Sequence, residues 1–193
     1  MNRLAWAVVV LSMAVPSLAQ EIAEPRSGTK FAAKDGDASL LGVGLRKKSI
    51  VKVYAVGLYV ADSALSGTLK GKAGTPELYQ ELLKGDFKKK IVMKFVRDVS
   101  TDQIRGGFRD SLKGAGEKSE VWIGYFSDIR SGQECVIAWT PGVGLETQVG
   151  GLKNPPLNDK VLASAVFGIW LGDKPIQEDI KRDLVARGGE LTK

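Results

Sequence analysis

Eleven consecutive residues, Ile50 to Val60 (IVKVYAVGLYV), carry one charge, Lys52, and are rich in β-branched and aromatic side chains. Read with a period of two, Ile50, Lys52, Tyr54, Val56, Leu58 and Val60 fall on one face, and Val51, Val53, Ala55, Gly57 and Tyr59 on the other. Both faces are largely apolar, the pattern of a strand covered on two sides. The residue types favour strand over helix. This stretch demands a sheet with material above and below it. Gly57 in its middle leaves room for a close approach. Just upstream, Gly42 to Lys48 (GVGLRKK) ends in a basic cluster of Arg46, Lys47 and Lys48.

The residue types remove whole classes of chemistry. The 193 residues contain no histidine, which excludes Ser-His and Cys-His nucleophiles and His-ligated zinc. One cysteine, Cys135, excludes an intrachain disulfide and any CxxC site. It lies in the apolar run Cys135 to Trp139 and reads as a small buried hydrophobe. The formal charge of +6 is a mild excess, and the basic runs lack the aromatic interleaving of a single-strand binder, so nucleic acid is not expected as a partner. Gly42-x-Gly44 is not followed by the helix that a dinucleotide fingerprint needs. There is no P-loop and no carboxylate pair in the apolar strands, and neither a cofactor nor a metal is implied.

Residues 1–19 have the form of a secretory signal peptide: Arg3, an apolar core from Leu4 to Val15, Pro16, then Ser17-Leu18-Ala19. That core is short for a bilayer span. The expectation is an exported chain, periplasmic or secreted, with residues 20–193 as a single domain and no further membrane-spanning segment. The polar stretch Glu21 to Ser39 suggests one strand near Thr29 to Ala33, and Ala61 to Gly74 reads as a loop. Thr75-Pro76-Glu77 starts a helix that Gly85 stops. Lys90 to Val99 alternates as a second long strand. Ser100 and Gln103 then form a capping box for a helix with Ile104, Phe108 and Leu112 on one stripe. Gly106 and Gly107 weaken that helix, which suggests a close neighbour there. Ser119 to Ile129 reads as an amphipathic helix with Val121, Trp122, Tyr125, Phe126 and Ile129 on its buried face. Glu134–Thr140 and Leu145–Val149 form a hairpin. Asn158 caps a helix over Val161, Leu162, Ala165, Ile169 and Trp170, and a last helix surrounds Ile180 and Leu184. Strands flanking a block of helices make an α+β fold.

Arg46 is the candidate site cation. Drawn to the edge of a buried sheet face, it needs an anionic or hydrogen-bonding partner, and a bound carboxylate is a natural one. A solvated place in the basic trio is the competing reading. Tyr54 lies eight residues on. The two would share a face of one continuous strand, or be neighbours across a hairpin.

Gly42-Val43-Gly44-Leu45-Arg46-Lys47-Lys48 followed by Val53-Tyr54-Ala55-Val56-Gly57-Leu58-Tyr59 resembles the chalcone isomerase fold family. Lys94 to Ser100 and Phe167-Gly168-Ile169-Trp170-Leu171-Gly172 fit it too, and the likeness runs from about Thr29 to Val185. The resemblance implies an open-faced β-sandwich, a large antiparallel sheet with a helical layer and a cleft between. It also implies one of two activities. The family's isomerases close a chalcone to a flavanone, using an arginine that matches Arg46. They have a threonine where this chain has Tyr54, a tyrosine and an asparagine near Ser100 and Gly107, and a late-helix hydroxyl near Ile169. Only the arginine of that set is kept here. In the family's fatty-acid-binding members an arginine and a tyrosine matching Arg46 and Tyr54 hold the carboxylate, and this sequence sides with them. The expectation is a non-catalytic binder of a fatty acid or similar hydrophobic anion, with the tail between sheet and helices. The alternatives are an intramolecular lyase using Arg46, and an interaction protein whose cleft is filled by its own side chains.

Overall fold

The computed structural model describes residues 20–193, so the expected signal segment lies outside the described residues. The long apolar run is the second half of a hairpin. Strand β4 (Ala38–Lys48) turns through Ser49 and Ile50 into β5 (Val51–Ala61), antiparallel. Ile50 therefore sits in the turn, and Arg46 stands directly opposite Tyr54. The hairpin reading of this pair is the one the fold adopts.

Around this hairpin a seven-stranded antiparallel sheet runs in the order β3-β4-β5-β6-β7-β8-β9. The other members are β3 (Lys34–Asp35), β6 (Lys89–Phe95), β7 (Glu134–Thr140), β8 (Gly144–Val149) and β9 (Leu152–Lys153). Each strand pairs with its sequence neighbour, so one wall of the core is assembled from consecutive hairpins. A separate pair, β1 (Glu21–Ala23) and β2 (Lys30–Ala32), covers part of the outer face. There Phe31 packs with Leu40, Leu45, Ala55 and Tyr59, and the Tyr59 hydroxyl donates to the Ala32 carbonyl at 2.9 Å. Gly57 is where Phe31 comes close: a Cβ there would sit 2.9 Å from its ring. The leading segment thus holds more strand than the one expected near Thr29 to Ala33, because β1, β3 and the first residues of β4 also fall within it.

The inner face carries the helices: α1 (Asp62–Ser66), α2 (Pro76–Lys84), α3 (Thr101–Ser111), α4 (Glu117–Gly124), α5 (Lys160–Leu171), α6 (Glu178–Asp183) and α7 (Gly188–Leu191). Ser100 forms the expected capping box with Gln103. Two expected caps differ. Thr75 turns its hydroxyl to the Lys72 carbonyl, and the α5 cap is Asp159, whose carboxylate accepts from Val161 and Leu162. The Asp159 side chain, one residue nearer the helix, reaches the free N–H groups. Helix α4 stops at Gly124 and buries Ser119, Trp122 and Ile123, a phase that turns Val121 outward, while Phe126 beyond its end stays buried. Val161 is exposed for the same reason of phase.

Between sheet and helices the space is filled by aromatic rings. Phe108 of α3 lies 5.0 Å from Trp122, 4.7 Å from Phe126 and 6.2 Å from Trp170, centre to centre. Such tilted contacts add to the area these rings bury. Helix α6 packs on β4 through the two glycines that open the motif. A Cβ on Gly42 would collide with the backbone of Asp183 and Leu184, and one on Gly44 would touch Ile180 at 3.4 Å. Gly42-x-Gly44 is therefore a seat for a helix.

Candidate binding cleft

At one end of the helical layer the packing opens into a cleft of about 460 Å³. Its walls are the β4–β5 hairpin, the segment after β6 and the face of α3 that carries Gly106 and Gly107. Volumes of about 300–1,000 Å³ are usual for small-molecule sites. Both sequence-predicted site residues, Arg46 and Tyr54, line it. As opposite residues in an antiparallel pair, they present their side chains to the same face.

Tyr54 is 3% exposed. Its hydroxyl accepts a 3.2 Å hydrogen bond from the Trp170 indole, and its ring packs against Phe95 at 5.3 Å. Burial pushes its pKa up to about 12, against the smaller lowering effects of the Trp170 bond and the nearby Arg46 charge. The phenol is therefore a neutral donor at any physiological pH. With its oxygen accepting from Trp170, its proton remains available to a further acceptor.

Arg46 is half-buried. Among the described residues its Nη1 donates to the Lys47 carbonyl at 2.6 Å and the Gln177 side-chain oxygen at 3.2 Å, and no carboxylate lies within ion-pair distance. A guanidinium has five N–H donors in a fork, so two of its three nitrogens remain for a ligand.

Gln177 is the residue that sequence reasoning missed. Its oxygen also accepts from the Lys47 backbone at 3.0 Å, while its amide nitrogen donates to the Leu45 carbonyl at 3.2 Å and to Asp179 at 2.5 Å. Asp179 is ion-paired at 2.8 Å to Arg26, which also binds Asp183 and the fully buried Glu24. Burial pushes Asp179 up, but the Gln177 and Arg26 bonds outweigh it and hold the carboxyl below its usual range. A chain of polar contacts thus runs from the leading segment through the start of α6 to the Arg46 guanidinium. No sequence pattern announces a lone glutamine after Pro175. Trp170 was expected in the core, and a buried indole needs an acceptor, but only the fold shows that Tyr54 supplies it.

The glycines of α3 also play a different part from the one their sequence suggested. A Cβ on Gly106 or Gly107 would meet nothing within 4 Å. Nothing presses on them, and their missing side chains form the open wall. The helix is held from behind, where Arg105 donates to the carbonyls of Phe126 at 2.7 Å and Gly124 at 2.9 Å. Lys48 and Arg97, and Asp102 and Asp110 of α3, also line the cleft. Ser100 lies at the cap of α3 and Ile169 is buried in the core.

A family model described as chalcone isomerase-like matches residues 19–186. The chain belongs to the chalcone isomerase-like family. It is similar to chalcone isomerase-like protein 1 of Humulus lupulus, 34% identical over 176 residues that cover 78% of this chain and 82% of that protein. It is also similar to fatty-acid-binding protein 1 of Arabidopsis thaliana, 24% identical over 200 residues, covering 89% and 72% respectively. The crystal structure of the Arabidopsis thaliana fatty-acid binding protein AtFAP1 matches with a TM-score of 0.75 over 90% of this chain and 99% of that one. At 20% identity that match shows the fold, an antiparallel sheet with a helical layer, as the chalcone isomerase resemblance implied. Among the described residues no helix of this chalcone isomerase-like chain is long and apolar enough to cross a membrane.

Proposed function

We propose that this protein is an exported, non-catalytic carrier of a fatty acid or similar long-chain carboxylate. The observation that carries the reading is Arg46 opposite Tyr54 in a cleft of about 460 Å³, with no carboxylate of the described residues within ion-pair distance of the guanidinium. A ligand carboxylate would accept from the free nitrogens of Arg46 and from the Tyr54 proton. Bonds to a charged group contribute about 1.5–3 kcal/mol each. The tail would lie along Gly106 and Gly107 against Ile104, Phe108 and Ile176. Burying the methylenes of a dodecanoyl tail contributes roughly 8 kcal/mol, at about 0.8 each. Association costs remove a large share, so micromolar affinity is the expected scale. The similarity to a protein named for fatty-acid binding supports the same reading. Cyclisation of a chalcone draws less support, because Gly107 and Ile169 offer no hydroxyl or amide where the isomerases have them.

The test is mass spectrometry of organic extracts from purified protein, comparing the parent with Arg46→Ala. Fatty acids enriched on the parent and at least about tenfold depleted on the variant are expected, the loss of one charge-assisted bond. Equal retention by both would remove Arg46 from the site. Empty protein that cyclises chalcone above the buffer rate would replace binding with catalysis.

A further inference from the structure

The tip of the β4–β5 hairpin breaks the usual turn rules. A two-residue connection between antiparallel strands is ordinarily Asn-Gly, Asp-Gly or a glycine pair. Here it is Ser49-Ile50. Ser49 is held at a φ of 56°, the one non-glycine residue with positive φ among those described. Ile50 is 93% exposed and Val51 beside it 42%. A polar turn would be easier to form and more soluble, and departures of this kind concentrate at functional sites.

The surroundings say what the tip meets. Lys47, Lys48 and Lys52 flank it, Arg97 stands across the cleft mouth, and no acidic residue occurs from Ser39 to Ala61. None of these four cations has a carboxylate within ion-pair distance among the described residues. Lys52 donates to the Arg26 carbonyl, which leaves its charge uncompensated. By contrast Lys34, Lys90 and Lys94 on neighbouring strands, and Lys88 just before β6, are each paired with an acid. An exposed apolar point inside a ring of unpaired cations suits an anionic phospholipid surface: the apolar tip enters the interface while the lysines meet headgroups.

We propose that this hairpin tip docks on an anionic bilayer, with Ile50 and Val51 entering the interface and Lys47, Lys48, Lys52 and Arg97 on the phosphates. Lys48 and Val53 line the cleft, so docking brings its mouth to the membrane. Exchange of a long-chain carboxylate between bilayer and cleft rests on the carrier reading above; the docking itself does not.

The test is co-sedimentation with phosphatidylcholine vesicles, with and without phosphatidylglycerol. The protein is expressed as the full chain, so parent and variants share whatever N-terminus the cell leaves. Binding is expected only with phosphatidylglycerol and weakens with salt. Lys47→Ala/Lys48→Ala lowers it by about fivefold per lysine, and Ile50→Asp abolishes it. A polarity-sensitive dye on Ile50→Cys shifts to the blue on these vesicles; the native Cys135 is fully buried, so the new thiol labels selectively. Ile50→Asp binding as well as the parent, or a dye that stays in water on anionic vesicles, would reduce the tip to a general polyanion patch and overturn the proposal. Docking that persists in an Arg46→Ala variant stripped of fatty acid keeps the two readings separable.

Discussion

Lys89 and Arg46 are both cations drawn into the layer between sheet and helices, and they sit at its opposite ends. Lys89 begins β6, while the Arg46–Tyr54 pair lies against Phe95, where β6 ends. At about 3.3 Å per residue the two positions are roughly 20 Å apart. Lys89 is 2% exposed; its ammonium donates to the Gly85 carbonyl at 3.0 Å and lies 4.9 Å above the Phe87 ring and 5.3 Å from that of Phe167. The space beside it holds about 10 Å³. At the other end a guanidinium with two uncommitted nitrogens faces about 460 Å³. One cation is closed off by its own protein; the other, half-buried, keeps spare donors beside an open cleft. Burial of a charge alone does not mark a site; the space and the spare donors do.

Substitutions at three positions sharpen the contrast at the open end. The largest effect is expected from Gly107→Leu. Its Cβ is accommodated, but the branched side chain fills the volume a tail would use. Overpacking of about 1–3 kcal/mol corresponds to a loss of up to a hundredfold in fatty-acid affinity by calorimetry. Helical stability should rise by about 1 kcal/mol, since glycine is replaced in a helix interior. Lost binding with unchanged or raised melting temperature would tie the cleft to the ligand; unchanged binding would move the ligand elsewhere. Tyr54→Phe comes next. It removes a donor to the carboxylate and leaves the Trp170 indole without its acceptor. About tenfold weaker binding and about 1–3 kcal/mol lower stability are expected in denaturant titration. Gln177→Ala is milder, about two- to tenfold in affinity, because it frees Arg46 rather than removing it. Gln177→Glu should weaken binding more than Ala does, since a carboxylate at 177 would occupy the guanidinium itself.

How much of this the sequence carried depends on whether the signal was local. β5 was legible because its apolar, β-branched run has a single meaning. The capping box at Ser100 and the hairpin from Glu134 were legible because their turn and cap residues are adjacent in the chain. β4 was hidden because its register shifts between Leu40 and Gly42 and again between Arg46 and Lys47, and a skipped register destroys the period of two. The β4–β5 turn was hidden because Ser49-Ile50 carries no turn signal. Arg46 and Tyr54 were nameable as a pair, yet whether they met along a strand or across a hairpin required that turn. Gly106 and Gly107 gave a true signal with the wrong sign: absence of a side chain reads equally as contact or as opening. Gln177 reaches Arg46 from 131 positions away, and nothing in its own neighbourhood encodes that.

The closed end gives the smallest effect and the strictest control. Burial pushes the Lys89 pKa down to about 8 from 10.5, with Asp86 and Glu81 opposing. Below pH 8 the lysine is protonated in both folded and unfolded chains, and the folded state bears the burial of the charge. Between about 8 and 10.5 the unfolded chain still binds the proton and the folded one does not, so stability rises with pH across that window. Tyr54 and Tyr59, pushed up to about 12 by burial, act oppositely. Above about 10 the unfolded chain loses phenolic protons that the folded chain keeps, and stability falls again. Lys89→Met should flatten the rise between pH 8 and 10 in denaturant titrations and leave the fall above 10. At pH 7 its stability should equal the parent's or exceed it by up to about 2 kcal/mol, because an apolar group replaces a desolvated charge. Fatty-acid affinity should not change. A variant that lost ligand would mean that the two ends of the layer are coupled; one that kept ligand but lost stability at pH 7 would mean that the carbonyls and rings around the ammonium more than offset its burial.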